Sequence, residues 1–306
     1  MASGTTVDAA RDIGQVVAVN VDTGTGTQSF RIPEPIALTA FMINRVDQLR
    51  GVQRLLKRRL EERKLGPLLV VLTGDVADFH EGFAQRYERL EARKRIDMVP
   101  GIAPLFPLRV LHWPRRRVSM EELLLSFAGP IATLADGDEV DDVLRELREL
   151  PESISFRHIF KAEYWDEKQE QLIRDWLKFI ESEWPEPRNS SVAIGFLCIQ
   201  TDQKAEKRSA SIRRVLDDLK QEYADSERVY FASELEMIEQ IDMEEWEPIA
   251  SERLGADFHS GLLLEIREHL FAQQDKYHYG ALYSALMTIL QERFFGAVKP
   301  QFMEDR

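Results

Sequence analysis

The stretch LLVVLTGDVADFHEGF, residues 68–83, decides the fold, because an apolar run passes through a glycine-containing turn into a segment with helical periodicity. Five consecutive aliphatic residues, 68–72, are typical of a strand buried on both faces of a sheet. The spacing of Phe79, Phe83 and Tyr87 predicts a helix after the turn. The stretch therefore predicts a strand, loop and helix unit of the kind that builds a parallel sheet.

Outward from this unit, strand-like and helix-like segments alternate from residue 41 to residue 235. Further strands are predicted at residues 108–111, 154–160, 192–199 and 229–231. Helices are predicted from Asn44, a good N-cap, to about residue 65, and at residues 120–127, 138–150, 166–183 and 209–223. After residue 235 the pattern predicts helices alone, at residues 238–246, 262–271 and 279–295. We therefore predict an α/β fold, a mostly parallel sheet flanked by helices, with a helical C-terminal extension.

The N-terminal segment alternates differently, since Val17, Val19 and Val21 share one face of a predicted strand in residues 14–28. A Gly/Thr loop follows, and Pro33 and Pro35 separate this element from the rest. The predicted divisions are an appendage at 1–35, the α/β domain at 36–235 and the extension at 236–306. We interpret the strand as a partner-binding or assembly strand. Two alternatives stay open: pairing with an edge strand of its own domain, and a disordered tail.

Composition sets limits on function. The chain has 306 residues, 44% hydrophobic content and a formal net charge of -13, so it can bury a core, and the charge disfavours nucleic acid as a partner. The single cysteine, Cys198, lies in an apolar run and is expected to be a buried, inert thiol. The N-terminus lacks the pattern of a signal peptide, and the apolar runs are too short to span a bilayer. We expect a cytoplasmic protein that does not enter membranes.

The turn after residue 72 occupies the place of a phosphate loop, G-x-x-x-x-G-K-[ST], between a buried strand and a helix. Aligned on Gly74, the pattern puts Phe79 at the second glycine, His80 at the lysine and Glu81 at the hydroxyl that holds magnesium. Each replacement opposes phosphate binding, and Asp75 adds another carboxylate. The alternative interpretation is that residues 68–83 are an ordinary strand and helix of an α/β fold, unrelated to a phosphate loop.

Other catalytic groups are also missing from the sequence. No predicted strand ends in paired carboxylates, and Asp202 is the only candidate for a magnesium-binding acid. A metal site from Asp75, Asp78 and His80 is less favoured than carboxylates that cap a helix start. We therefore predict no catalytic residue, no metal and no cofactor.

The segment before the turn, FMINRVDQLRGVQRLL, resembles the entry helix that precedes the phosphate loop in STAND-class NTPases. The match is carried by Phe41, Met42, Asn44, Arg45 and Gln48. Together with residues 232–250, ASELEMIEQIDMEEWEPIA, the pattern over residues 36–295 resembles the catalytically inactive STAND family of bacterial conflict systems. The resemblance implies a P-loop-NTPase-like fold with a degenerate phosphate loop, kept as a scaffold and often coupled to an effector domain. No effector domain precedes residue 36, so a signal would pass to a protein partner in trans.

Candidate partner-binding residues lie in two basic clusters and one aromatic-acidic stretch. They are Arg58 and Arg59 on the first helix, Arg115 and Arg116 after Pro114, and Trp246. The alternatives are a solvated helix face and a tryptophan that anchors a helix to its own domain. The resemblance favours a non-catalytic adaptor or scaffold in a prokaryotic defence or signalling system, with self-association as a further option. A nucleotide-responsive switch or weak NTPase, and a nucleic-acid-binding adaptor, stay open as alternatives.

Overall fold

A computed structural model describes residues 16–22, 27–33, 46–78, 80–107, 109–111, 113–114, 119–127, 139–202, 205–244, 246, 260–272 and 274–295. These residues fall into two compact units. Unit 2 consists of Val46–Val76 and His80–Leu235, and unit 1 contains the described residues before and after it together with Ala77 and Asp78. The three-part division predicted from the sequence stays a prediction.

The strands, in chain order, are Val16–Asp22 (β1), Thr27–Pro33 (β2), Gly66–Asp75 (β3), Arg109–Leu111 (β4), Ile154–Lys161 (β5), Val192–Thr201 (β6), Val229–Phe231 (β7), Ile238–Glu239 (β8) and Lys276–Tyr277 (β9). The α-helices are Val46–Glu61 (α1), His80–Arg86 (α2), Arg93–Asp97 (α3), Met120–Leu125 (α4), Val140–Glu149 (α5), Glu167–Lys178 (α6), Glu206–Glu222 (α7), Gln240–Glu244 (α8), Ser260–Phe271 (α9) and Tyr279–Phe295 (α10). Tyr87–Ala92 and Phe179–Glu183 are π-helical turns that continue α2 and α6.

Five strands of unit 2 form one parallel sheet in the order β4-β5-β6-β3-β7. Helices cover both faces, so the predicted α/β fold is confirmed. The sequence predicted β7 at its observed bounds, and it predicted the buried core of β3 and β6 but ended both strands too early. Every residue of β6 is buried, as expected for a strand between two others under helices on both faces.

The sheet separates two apolar layers. On one face Leu68, Val70 and Leu72 of β3 pack with α1 and with Phe83 of α2. On the other face Leu69 and Val71 of β3 pack with the helices α4 to α7. The alternation of β3 side chains between the layers follows from the two-residue period of a strand.

Unit 1 corrects two sequence-based predictions. The Gly/Thr loop predicted after β1 leads into a second strand, β2, and the two pair as an antiparallel hairpin in which Val19 lies opposite Phe30. The segment predicted as a linker therefore supplies the pairing partner of β1, and the hairpin lies beside α10 in the same unit. The chain after residue 235 is not helical alone, because β8 pairs antiparallel with β9. Two-residue strands carry too little periodicity for a sequence pattern to detect.

Among the described residues, none of the helices combines the length and the apolar character needed to cross a bilayer.

Candidate functional site

The carboxyl ends of β3 and β6 form the place where a parallel sheet of this topology binds ligands. These two strands are neighbours, but the chain leaves β3 toward α2 on one face and leaves β6 toward α7 on the other. Ligands of open α/β sheets bind in the crevice outside such a switch point. The residues to test are therefore those at the ends of β3 and β6 and at the start of α2.

Gly74 does not begin a loop. It lies inside β3, paired with Gln200 of β6 on one side and bridged to Leu235 on the other. The Thr201 hydroxyl donates a hydrogen bond of 2.8 Å to the Gly74 carbonyl. A phosphate loop needs its backbone amides turned toward the ligand, whereas the backbone at Gly74 is held in the sheet. Asp75, opposite Thr201, is the last residue of the strand.

His80, at the lysine position, is the first residue of α2 and is completely buried. A lysine neutralises phosphates by reaching out from the first turn of the helix into the crevice. A side chain without any exposed surface cannot meet a solvent-borne phosphate. The structure therefore leaves the His80 side chain without contact with solvent.

Glu81, at the hydroxyl position, is paired with Arg157 from β5. The Arg157 Nη2 lies 3.6 Å from the Glu81 Oε2, and Nη1 donates to the Glu81 carbonyl oxygen at 3.5 Å. The Arg157 side chain is 7% exposed and that of Glu81 is 34% exposed. This ion pair ties the first turn of α2 to β5, at the position where the phosphate-loop pattern places the magnesium-binding hydroxyl.

Sequence reasoning missed Arg157. The signal was available, because Arg157 is the one Asp, Glu, Lys or Arg residue in the mostly apolar strand of residues 154–160. Its partner could not be identified from the sequence, since the pairing depends on the order of the strands in the sheet. Asp202, the candidate magnesium acid, follows β6, and its backbone N–H donates to the Ser209 hydroxyl at 3.2 Å.

Asp78 belongs to unit 1, where its carboxylate lies 3.1 Å from Nδ1 of His278. Among the described residues, no group of three or more His, Cys, Asp or Glu side chains is arranged to hold a metal ion.

Cys198 is buried as expected, and burial raises the pKa of its thiol to about 12, so the thiol stays protonated. The backbone of Val17, Val19 and Val21 lies in β1. The candidates Asn44, Arg45, Phe79, Arg115 and Arg116 lie outside the described residues.

Two of the partner-binding candidates, Arg59 and Trp246, are buried in the structure. Arg59 is 4% exposed, and its guanidinium donates to the backbone oxygens of Glu227 (2.6 Å) and Gly66 (3.3 Å). Burial lowers the pKa of Arg59 to about 10, which leaves it charged at neutral pH. Trp246 is fully buried within the molecule. Both side chains serve the chain's own packing, whereas Arg58 is exposed at the end of α1.

Comparison with known proteins supports the fold and does not identify a family or a function. No protein-family model and no curated protein sequence matches the chain. A solved structure of the Aeropyrum pernix ORC2 protein in ADPNP-ADP complexes is similar, with a TM-score of 0.52, 13% identity and 81% of this chain covered. This chain spans 62% of the length of that one. The ADP form of the same protein matches with a TM-score of 0.47 and 14% identity, over 79% of this chain and 61% of that one. The Escherichia coli HORMA:CdnC:Trip13 complex matches with a TM-score of 0.38 and 12% identity, over 83% of this chain and 79% of that one. The first likeness shows a P-loop NTPase-type fold.

Proposed function

We propose that this chain is a non-catalytic module on a P-loop NTPase-type fold that acts as a protein-binding adaptor or scaffold. The resemblance of residues 36–295 to inactive STAND proteins is the support for proposing that this role belongs to a prokaryotic defence or signalling system. The candidate site supports the non-catalytic character, and the edge of the sheet supports the protein-binding role.

The observation that carries the non-catalytic part is the closed state of the crevice. Phosphoryl transfer relies on positioned charges: a lysine on the phosphates, a hydroxyl and acids on magnesium, and an oriented water. Here the lysine position is a buried imidazole, and the hydroxyl position is a carboxylate that Arg157 already neutralises. The glycine that should open the loop is paired on both sides. None of these groups is available to a triphosphate.

We expect the purified chain to release no phosphate from ATP or GTP above the buffer background, because the groups that would stabilise the developing charge are engaged. The measurement is steady-state phosphate release with magnesium, beside the Asp202→Ala variant as a matched control. Turnover by the parent chain at ordinary NTPase rates, lost in Asp202→Ala, would contradict the proposal. Hydrolysis that Asp202→Ala leaves intact would point to a contaminating enzyme.

The edge of the sheet supports a protein partner. Among the described residues, β4 pairs with β5 only, so its other side carries unpaired backbone groups. Val110 is 47% exposed and Phe106 is 37% exposed, and the Arg109 guanidinium lies 5.5 Å from the centre of the Phe106 ring. Exposed apolar side chains beside an edge strand are typical of surfaces that accept an extended segment of another protein.

We expect Val110→Asp to reduce capture of a partner by at least tenfold, because a carboxylate on the edge opposes both apolar contact and strand pairing. The measurement is quantitative co-purification of defined proteins encoded beside the gene, with tagged parent and variant chains. Asp218→Val, an exposed position on α7, makes the opposite change on another surface and serves as the control. Equal capture by the parent chain and Val110→Asp would remove the edge strand from the proposal.

A further inference from the structure

A groove of about 410 Å³ lies between α1 and α3 in unit 2. Its lining consists of four cationic side chains and one amide: Arg50, Gln53, Arg54, Lys57 and Arg95. Among the described residues that line it, none carries a carboxylate. Such a lining is unusual for a chain with a net charge of -13.

The cations are spaced along the groove. Arg50, Arg54 and Lys57 share one face of α1, because residues three and four apart on a helix are neighbours. With a rise of 1.5 Å per residue they extend over roughly 10 Å of helix. Arg95 approaches from α3, so positive charge faces the groove from two elements.

Lys57 and Arg95 each lie near a carboxylate. Glu61 lies 3.7 Å from the Lys57 ammonium, and both side chains are more than 60% exposed. Glu91 lies 4.0 Å from the Arg95 guanidinium. The Lys57–Glu61 pair is exposed, so it contributes on the order of 0–1 kcal/mol and is screened by salt. This pair can give way to a stronger anion, and the Arg95–Glu91 pair, at 4.0 Å, is at the limit of an ion pair.

A second pocket in unit 2 shows the usual arrangement. About 470 Å³ in volume, it is lined by both cations and carboxylates. Lys64 is 2.6 Å from Glu227, and Arg228 is paired with Glu186. This lining holds both cations and carboxylates, whereas the described lining of the α1–α3 groove holds four cations and one amide.

We propose that the α1–α3 groove binds a chain of phosphate groups, from a nucleic-acid strand or from a free oligophosphate. Arginine matches phosphate geometry with paired N–H donors, and a row of cations along a groove suits successive phosphates. The net negative charge disfavours a phosphate ligand over the molecule as a whole, but salt at 0.1 M screens charges beyond about 10 Å, so the local cationic lining acts on a ligand in the groove. No aromatic side chain lines the groove among the described residues, so bases have no stacking platform and contacts are to phosphate alone. The site uses other elements than the closed crevice and goes beyond the adaptor role.

Two probes test the groove: a labelled single-stranded oligonucleotide of mixed sequence and inorganic tripolyphosphate. We expect Arg54→Gln/Lys57→Gln to weaken binding at least tenfold and to reduce the slope of log affinity against log salt for the oligonucleotide by about 1.4, near 0.7 for each lost contact. Arg214→Gln/Lys220→Gln removes the same charge from exposed positions on α7 and should leave binding unchanged. Thermal unfolding of each variant checks that the fold is intact.

The two probes distinguish the sources of phosphate. Binding of the oligonucleotide without competition by tripolyphosphate supports a nucleic-acid strand, and tight binding of tripolyphosphate supports a free oligophosphate. The proposal is overturned if neither probe binds, or if the α7 variant loses as much affinity as the groove variant. Nucleotide binding that disappears in the groove variant belongs to this site and leaves the closed crevice untouched.

Discussion

Acidification from pH 7 to pH 4 is expected to lower the free energy of unfolding by about 3 kcal/mol through one side chain, His158. Burial lowers the pKa of His158 to about 3 from an ordinary value of 6.5. The ring lies among Trp113, Phe127, Phe156 and Trp176, with centroid distances of 5.3–5.9 Å. Neither ring nitrogen has a hydrogen-bond partner.

The direction follows from the two states. Below pH 6.5 the unfolded chain binds a proton at His158, whereas the folded chain does not bind one until about pH 3. The free energy of unfolding therefore falls as the pH is lowered from 6.5 to about 3. The measurement is urea unfolding at a series of pH values. His158→Phe should remove this share of the pH dependence, while Phe127→Leu, which damages the same cluster without a titrating group, should lower stability equally at pH 7 and pH 4. An unchanged pH dependence in His158→Phe would contradict the assignment.

Gly195→Val is expected to destabilise the fold by about 3 kcal/mol, at the upper end of the usual effect of overpacking. Gly195 lies in the middle of β6, where an added Cβ would approach Phe156 Cζ to 2.5 Å and Leu69 Cδ1 to 2.9 Å. These neighbours come from β5 and β3, so neither can withdraw without disturbing the aromatic cluster or the centre of the sheet.

The measurement is the urea midpoint of Gly195→Val and of Gly195→Val/Phe156→Leu. The smaller leucine makes room for the new methyl groups, so we expect the double variant to lose less than the sum of the two single changes, a coupling of about 1 kcal/mol. Ala193→Val, two residues earlier on the same face of β6, is the control for added bulk. Additive losses would mean that Phe156 is not the obstacle.

The fold could be predicted from the sequence where periodicity was long enough. The apolar runs of β3 and β6 and the spacing in α1 gave elements close to those observed. The hairpin was only half predicted, because β2 contains Ser29, Arg31 and Pro33 and is not an apolar run. Its strand conformation comes from pairing with β1, which is a tertiary effect.

The candidate site could be predicted only in part. The replacements at His80 and Glu81 were visible in the sequence, but their burial and pairing were not. Arg157 reaches Glu81 because β5 lies two strands from β3, and the order of strands in a sheet cannot be predicted from local sequence patterns. The burial of Arg59 was missed for a related reason, since its acceptors include the backbone of Glu227, far along the chain.

The pairing of β3 with β6 has a consequence for synthesis. Gly66 lies opposite Val192 in the central pair of strands, so the most buried part of the sheet joins segments that leave the ribosome at very different times. Parallel pairings between distant segments form slowly, because the loop between them must close first. Until β6 emerges, β3 offers both edges and an aliphatic run to any chain nearby, and such exposed strands favour aggregation. The nascent chain is therefore most in need of chaperones between the appearance of residue 75 and that of residue 201.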